Sequence, residues 1–366
     1  MRRVRVVNWT MIKNQFPAGF SRIADANTNR IGEGLRVLEE AARFILNDEV
    51  LSERLKDLRH ELSVRDITTK LQYLTGRDSQ NDVGVEIQVG FQTTARSPTE
   101  LVTANARRVE EALRVMEEIS TLQGGGTVKR DYQRARFSLY DIEKELIGRL
   151  TRTNLASGIQ GLYAIVDSDC LKGRDLLETT SQILAGGVKI VQLRDKSTPK
   201  KRLYELAIAV KQMCVENEAL FIINDHMDIA LAAGADGLHL GQEDLSVKIA
   251  RKFLPIDKLI GCSVTTAAEA RIAKNEGADY LACGAMYPTG TKTDCPVIGL
   301  AAVGEIKQAA DLPLVAIGGI NIDNVAEVLA AGVDSVAVVS ALVLAHSPTL
   351  AAQEMLQRIE VCHEQA

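Results

Sequence analysis

The spacing of apolar residues changes once along the chain, near residue 157. Up to about residue 150, apolar positions recur every three or four residues between charged ones, which is the pattern of amphipathic helices. From Gly161 onward, short β-branched runs alternate with helical stretches such as Lys200–Glu216 and Ala267–Glu276. The pattern predicts two domains, residues 1–157 and 158–366, with a brief linker near residues 153–159.

The first domain contains an internal repeat. Residues 26–46 and 104–118 both carry an apolar stripe at helical spacing, and a charged amphipathic stretch follows each of them, at residues 51–71 and 129–150. Identical residues recur at a shift of 78 positions from Ala26, Asn27, Arg30, Glu33, Leu35, Arg36, Val37, Glu39 and Glu40. We predict an all-α bundle built from a duplicated helical hairpin, with a non-helical segment at residues 81–90. The repeated polar residues have two possible explanations. They form ion pairs with residues three or four positions away, or they line a cleft between the hairpins that binds a partner protein or a small ligand.

Eight apolar runs follow in the second domain. They are GLYAIVD, VKIVQLRD, ALFIIND, ADGLHL, KLIGCSV, DYLACGAM, PLVAIGGI and DSVAVVS. Eight strand–helix units in about 205 residues predict an α/β fold, a (β/α)8 TIM barrel preceded by the all-α domain. Active sites of such barrels lie where the strands end, so the chemistry is expected there.

The ends of these runs are polar. In chain order they carry Gln192, Arg194 and Lys196, then Asn224 and Asp225, Asp244, Ser263, the loop PTGTKTD with Thr289, Thr291 and Lys292, then Gly319, and finally Ser340. The cations suit a polyanion, and Asp225 with Asp244 offers hard oxygen ligands for Mg²⁺ shared with a pyrophosphate. The glycines after the seventh run and the serine after the eighth suit a second, separate phosphate. Taken singly, each feature has a plainer explanation, such as a surface ion pair, a helix cap or a turn. His226 and His239 are expected to be structural or to support the residues that contact the substrate.

Composition narrows the class of protein. Hydrophobic residues make up 46% and charged residues 25%, as in soluble globular proteins, and no apolar run is long enough for a membrane span or a secretory signal. A net charge of −5 and 4% aromatic residues argue against nucleic-acid binding. The six cysteines form no CxxC pair, which favours free thiols in the cytoplasm. The sequence leaves open whether the chain forms a homo-oligomer.

Taken together, the motifs QLRDK, IIND, GLHLGQEDL, GCSV, PTGTKTD, AIGGI and VVS resemble the thiamine-phosphate synthases, over residues 161–345. The N-terminal domain resembles the extension of the cyanobacterial type, with no role assigned. The resemblance implies a Mg²⁺-dependent transferase that joins 4-amino-2-methyl-5-hydroxymethylpyrimidine pyrophosphate to 4-methyl-5-(2-phosphooxyethyl)thiazole. The family's usual QLREK is QLRDK here, and Val339 replaces its usual isoleucine, both conservative changes.

The resemblance also implies roles for the residues at the strand ends. The pyrimidine pyrophosphate would be held by Gln192, Arg194, Lys196, Asn224, Ser263 and Lys292, of which Arg194, Lys196, Ser263 and Lys292 would be catalytic. Mg²⁺ would be bound by Asp225 and Asp244, and the thiazole phosphate by Thr289, Thr291, Gly319, Val339 and Ser340. Two alternatives remain: a thiazole tautomerase on the same barrel, which needs no metal–pyrophosphate site, and a non-catalytic sensor of thiamine precursors.

Overall fold

The computed structural model describes residues 18–63, 67–75, 77, 97–122, 126–290 and 296–364. The chain divides into two compact units, Met1–Thr151 and Arg152–Ala366. Within the described residues, no helix combines the length and the hydropathy needed to cross a bilayer.

The N-terminal unit is helical. Its elements are α1 (Ala18–Glu40), which continues into a π-helical turn (Ala41–Ile45), then α2 (Glu49–Leu62), α3 (Ile67–Thr75), α4 (Pro98–Leu122) and the first part of α5 (Gly126–Ser157). Leu35, Leu55, Leu113 and Leu139 lie in its buried core, where the apolar stripes of four helices meet. Within the described residues, the amphipathic stretch at 51–71 lies in two helices, α2 and α3. The segment 81–90 lies outside the described residues.

The two repeated segments make the same side-chain contacts. The recurring contacts, all at 2.8 Å, join Asn27 to the carbonyl of Ile23, Asn105 to the carbonyl of Leu101, Arg36 to Glu40 and Arg114 to Glu118. Each contact spans one helical turn, so many of the repeated polar residues satisfy one another along their own helix. Contacts between residues three or four positions apart, the first of the two explanations of the repeat, therefore account for these residues.

The prediction of a linker near residues 153–159 is wrong. Helix α5 continues through Ser157, and only then does the chain turn into the first strand. Leu155 and Ala156 are partly buried against the apolar residues inside the barrel, including Ile159. Arg152 also forms an ion pair with Asp279 at 2.7 Å. Packing and an ion pair thus extend the helix across a stretch whose small and polar residues are typical of a loop.

The second unit is a closed barrel of eight parallel strands in sequential order, β1 to β8. The strands are β1 (Gly161–Asp167), β2 (Ile190–Arg194), β3 (Leu220–Asn224), β4 (Gly237–Leu240), β5 (Leu259–Val264), β6 (Tyr280–Gly284), β7 (Leu314–Ile317) and β8 (Ser335–Val338). The helices are α6 (Leu176–Ala185), α7 (Lys200–Glu216), α8 (Met227–Ala232), α9 (Val247–Phe253), α10 (Ala267–Glu276), α11 (Ala301–Ala310), α12 (Val325–Ala330), α13 (Ser340–Val343) and α14 (Pro348–Glu364). Each strand lies within one of the eight predicted runs, and the TIM-barrel prediction is confirmed.

Alternation along the strands divides the core into two layers. Side chains such as Ile165, Ile190 and Ile222 point into the barrel and pack with one another. Their neighbours in sequence, such as Val166 and Val191, pack outward against the surrounding helices. Both faces of every strand are therefore buried, which explains why the runs read as nearly continuous apolar segments.

Candidate active site

The polar strand ends predicted from the sequence lie at one mouth of the barrel, because all eight strands run in the same direction in a closed ring. The predicted site residues within the described part of the chain are Gln192, Arg194, Lys196, Asn224, Asp225, Asp244, Ser263, Thr289, Gly319, Val339 and Ser340. Each lies on the last residues of a strand or in the segment that follows it. Thr291 and Lys292 lie outside the described residues.

Arg194 is held by a carboxylate that the sequence analysis missed. Asp167, the last residue of β1, pairs in register with Arg194, the last residue of β2. The two side chains form an ion pair in which the Asp167 side chain is 1% exposed and that of Arg194 is 19% exposed. A guanidinium that is fixed on one edge keeps its other N–H groups directed to a ligand. Asp167 reads in the sequence only as the end of an apolar run, so its role depends on the strand register.

Two carboxylates and a lysine lie together after β3 and β4. The Lys196 Nζ lies 3.6 Å from Asp225 Oδ2, and Asp244 is close enough to Asp225 to raise its pKa. Burial, followed by the hydrogen bond and negative charge of Asp244, raises the pKa of Asp225 to about 6, against the opposing effect of Lys196. Two neighbouring acids take up a proton more readily than an isolated carboxyl group does, and a bound cation would relieve their mutual repulsion.

The backbone fixes the direction of both acids. Asp225 has a φ of 59°, in the left-handed region that aspartate tolerates, and its N–H donates to the carbonyl of His239 at 2.9 Å. Asp244 Oδ2 accepts a hydrogen bond of 2.7 Å from the N–H of Gly241. Among the described residues, no group of three or more His, Cys, Asp or Glu side chains forms a potential metal site. A pair of carboxylates is nevertheless a sufficient protein contribution for Mg²⁺, which usually keeps waters and takes its other ligands from phosphate oxygens.

A chain of hydrogen bonds inside the barrel connects Gln192 with Ser263. Gln192 Nε2 donates to the hydroxyl of Tyr163 at 2.7 Å, and that hydroxyl lies 3.0 Å from the hydroxyl of Tyr280. His239 bridges the Tyr280 hydroxyl at 3.1 Å and Ser263 Oγ at 3.0 Å through its two ring nitrogens. His239 supports Ser263 from inside the barrel, which is one of the two roles expected for it. The two tyrosines lie within apolar runs, and nothing in the sequence indicated their contact.

The opposite side of the mouth contains the glycine-rich segment after β7. Gly318 and Gly319 have φ values of 103° and 69°, and an added Cβ on Gly319 would lie 2.8 Å from the carbonyl oxygen of Pro288. Only glycine fits a backbone that turns this tightly against the β6 loop. Because β7 pairs with β8, this turn is adjacent to Val339 and to Ser340, the first residue of α13. Glycines at these positions allow a phosphate to approach the backbone N–H groups closely.

Asp195 and His226 support the loop that carries Lys196. Although burial opposes ionisation, hydrogen bonds led by those of Thr198 and Ser197 hold the pKa of Asp195 below its usual value. The carbonyl of Asp195 lies 3.1 Å from His226 Nε2. Both residues therefore act on the conformation of the loop, which agrees with the structural role expected for His226.

Comparison with known proteins identifies the family of this chain. The family model described as thiamine monophosphate synthase matches residues 162–342. A thiamine-phosphate synthase from a Synechocystis strain is 37% identical over 348 residues, which is 94% of this chain and 97% of the relative. The chain belongs to the thiamine-phosphate synthase family. It is therefore an enzyme, a transferase of thiamine biosynthesis.

Other comparisons agree with this membership. A thiamine-phosphate synthase from a Nostoc strain is 39% identical over 338 residues, covering 92% of this chain and 93% of the relative. The solved structure of thiamine phosphate pyrophosphorylase from Pyrococcus furiosus is 38% identical, with a TM-score of 0.52, and covers 58% of this chain and 98% of that one. The synthase relatives thus extend over both units, whereas that solved structure spans little more than half of the chain. Residues 22–145 match the model of the ThiD2 family.

The N-terminal unit has a cleft of its own, with a volume of about 490 Å³. It is lined by residues of α1, α2 and α3 together with Arg77, which forms an ion pair with Asp25 at 2.7 Å. The cleft lies among elements of the first repeat, and not between the two hairpins. Gly32 lines it, and a shift of 78 residues places Glu110 at the equivalent position of the second repeat. The two repeats have therefore diverged at this position.

Proposed function

We propose that the barrel joins 4-amino-2-methyl-5-hydroxymethylpyrimidine pyrophosphate to 4-methyl-5-(2-phosphooxyethyl)thiazole, releasing thiamine phosphate and pyrophosphate with the help of Mg²⁺. The observation that carries the proposal is the group of Arg194, Lys196, Asp225 and Asp244 beside β2 to β4. Opposite charges that are close together but incompletely paired suit a metal–pyrophosphate ligand. The glycine turn after β7 suits a separate phosphate monoester, so two phosphorylated substrates are accommodated.

The pyrophosphate end of the first substrate would be held by Arg194, Lys196 and Ser263, with Lys292 from the β6 loop as a third cation. When bound to Asp225 and Asp244, Mg²⁺ supplies positive charge that lowers the energy of the departing pyrophosphate. The cationic side chains do the same from fixed positions, since Arg194 is already oriented by Asp167. Fixed charges require no reorganisation as the leaving group develops its negative charge.

The pyrimidine end would be oriented by Gln192, in the middle of β2, and by Asn224, at the end of β3, both of which are buried. Loss of pyrophosphate leaves a pyrimidinylmethyl cation that the ring amino group delocalises, and the thiazole nitrogen attacks it. The thiazole phosphate would be held by Thr289, Thr291, Gly319, Val339 and Ser340. This route needs no protein nucleophile, so positioning and preorganised charge supply the acceleration.

The decisive experiment is incubation of the purified chain with both phosphorylated substrates and Mg²⁺. Thiamine phosphate and pyrophosphate should form in equal amounts. Omission of either substrate is the control and should abolish both products. Absence of thiamine phosphate under these conditions would overturn the proposal.

Mg²⁺ affinity is expected to fall as the pH is lowered, because the metal binds the ionised form of Asp225. The pKa of this acid is raised to about 6, so protons compete with the metal below that value and not above it. From about pH 7 to about pH 5 the apparent affinity should fall about 10-fold. Calorimetric titration with Mg²⁺ alone measures the effect without interference from titrating phosphates. Equal affinities at the two pH values would contradict the assignment of Asp225 as a ligand.

The barrel is expected to be catalytically complete without the N-terminal unit, provided that the truncated chain keeps Arg152. Asp279, whose pKa is raised by burial, has ion pairs with Arg152 at 2.7 Å and with Arg251 at 2.5 Å. A chain that begins at Gly158 loses one of these pairs and the packing of Leu155. Its free energy of unfolding should therefore be about 2 kcal/mol lower than that of a chain beginning at Arg152. Thermal unfolding measures the difference, and equal stability of the two chains would contradict it.

The enzyme is proposed to act in the cytoplasm. Cys214 and Cys283 are free and buried, and burial raises the pKa of each thiol to about 12. Unreactive reduced thiols agree with a reducing compartment.

A further inference from the structure

Five side chains from five strands form one hydrogen-bonded line across the inside of the barrel. Tyr163 lies on β1, Gln192 on β2, His239 on β4, Ser263 on β5 and Tyr280 on β6. Four of them are almost completely enclosed, with exposures of 1% for Tyr163, 3% for Gln192, 7% for His239 and 0% for Tyr280. Ser263 is more accessible and lies at the mouth. The line therefore connects two proposed substrate contacts on strands that are not neighbours.

Each hydrogen bond along this line has a definite donor and a definite acceptor. Burial raises the pKa of both phenols, so each keeps its single proton. Gln192 Nε2 donates to the Tyr163 hydroxyl, whose other partner within the described residues is the hydroxyl of Tyr280. Since a buried hydroxyl without an acceptor is costly, Tyr163 donates to Tyr280, and Tyr280 in turn donates to Nδ1 of His239.

This direction determines the tautomer of the imidazole. With Nδ1 accepting, a neutral His239 carries its proton on Nε2, which then donates to Ser263 Oγ at 3.0 Å. Ser263 accepts from inside the barrel, so its own proton remains for a ligand at the mouth. The reverse direction would present lone pairs of Ser263 to an anion and would repel it.

We propose that Tyr280 and His239 are positioning residues that orient the Ser263 hydroxyl, so that it donates a hydrogen bond to the departing pyrophosphate. The inference rests on the proposed function, which places the pyrophosphate at Ser263. The same line leaves Oε1 of Gln192 as an acceptor, suited to the amino group of the pyrimidine. One network inside the barrel thus determines that the protein donates a hydrogen bond at one end of the first substrate and accepts one at the other.

Gly261 leaves the space that the Tyr280 side chain needs in this line. It pairs in register with Tyr280, and a Cβ at this position would lie 2.1 Å from Cζ and 2.4 Å from Oη of that tyrosine. The phenol therefore occupies the space above the glycine. Gly261→Ala should displace the hydroxyl and reproduce the effect of removing it.

The test compares Tyr280→Phe, Ser263→Ala and the double variant for their affinity for inorganic pyrophosphate at saturating Mg²⁺, by calorimetry. Tyr280→Phe keeps the ring and removes the donor to His239, so the affinity should fall about 3- to 10-fold. In the Ser263→Ala background the same change should have no further effect, because Tyr280 acts through Ser263. Tyr204→Phe, on α7 outside the barrel, is the matched control and should leave the affinity unchanged.

The outcomes separate this inference from the function on which it rests. If Ser263→Ala leaves pyrophosphate affinity unchanged, the proposed anion site is wrong. If Ser263→Ala weakens binding but Tyr280→Phe does not, or if the two effects add, the positioning role is wrong and the site stands. Nitrogen NMR of the unmodified enzyme gives an independent check: His239 should be neutral with its proton on Nε2, and an Nδ1–H tautomer would overturn the inference.

Discussion

Asp225→Asn is expected to lower turnover by about 10²-fold or more, the loss typical for one preorganised electrostatic group. Asparagine keeps the shape of the side chain but removes the charge that Mg²⁺ needs. It also tolerates the left-handed backbone at this position, where φ is 59°. Alanine would combine the loss of charge with backbone strain, so asparagine is the cleaner substitution. Steady-state rates with both substrates measure the effect, and a loss of similar size is expected for Lys292→Ala.

Asp228→Asn is the matched control for this experiment. Asp228 lies three residues further along, is exposed, and forms an ion pair with Lys200 at 2.9 Å. It has the same charge as Asp225 and belongs to the same segment, but it is not proposed to bind the metal. Turnover should therefore remain close to that of the unmodified enzyme. Near-normal turnover in Asp225→Asn would mean that the metal site is misassigned.

The position of the site could be predicted from the sequence because of one property of barrels. Consecutive parallel strands in a closed ring bring their ends to a single mouth, whatever the length of the helices between them. Recognising eight apolar runs was thus sufficient to expect Arg194, Asp225 and Asp244 in one region. No knowledge of side-chain conformation was required for this step.

What the sequence could not provide was the second layer of contacts around these residues. Asp167 holds Arg194 only because the last residues of β1 and β2 are in register. Tyr163 and Tyr280 meet only because their strands point both side chains inward and because Gly261 leaves room for the phenol. Apolar runs specify that a strand is buried, but they do not specify which hydroxyl finds a partner across the barrel.

The linker at residues 153–159 was predicted wrongly for a related reason. Residues 153–159 contain small and polar letters that favour a loop, yet α5 continues to Ser157. Arg152 and Leu155 are stabilised by contacts with Asp279 and with the barrel interior, which are distant in sequence. Tertiary contacts of this kind override local propensity, and a single sequence does not reveal them.

Removal of divalent metal is expected to have the largest effect, a loss of turnover of about 10³-fold or more. Without a cation, Asp225 and Asp244 would face the negatively charged pyrophosphate directly, so the site would become repulsive and not merely weaker. The measurement is the rate in excess chelator, followed by restoration with added Mg²⁺. Chelator already saturated with Mg²⁺ is the control. Full activity in metal-free chelator would contradict a role for the metal.

Asp225→Asn and the unmodified enzyme are also expected to exchange their order of affinity for pyrophosphate when the metal is removed. With Mg²⁺ present, the unmodified enzyme should bind pyrophosphate more tightly, because Asp225 helps to hold the cation. In chelator, the variant should bind more tightly, because one of the two charges that repel the anion has been neutralised. Calorimetry under both conditions tests the exchange. If the unmodified enzyme remains the tighter binder without metal, Asp225 does not face the pyrophosphate.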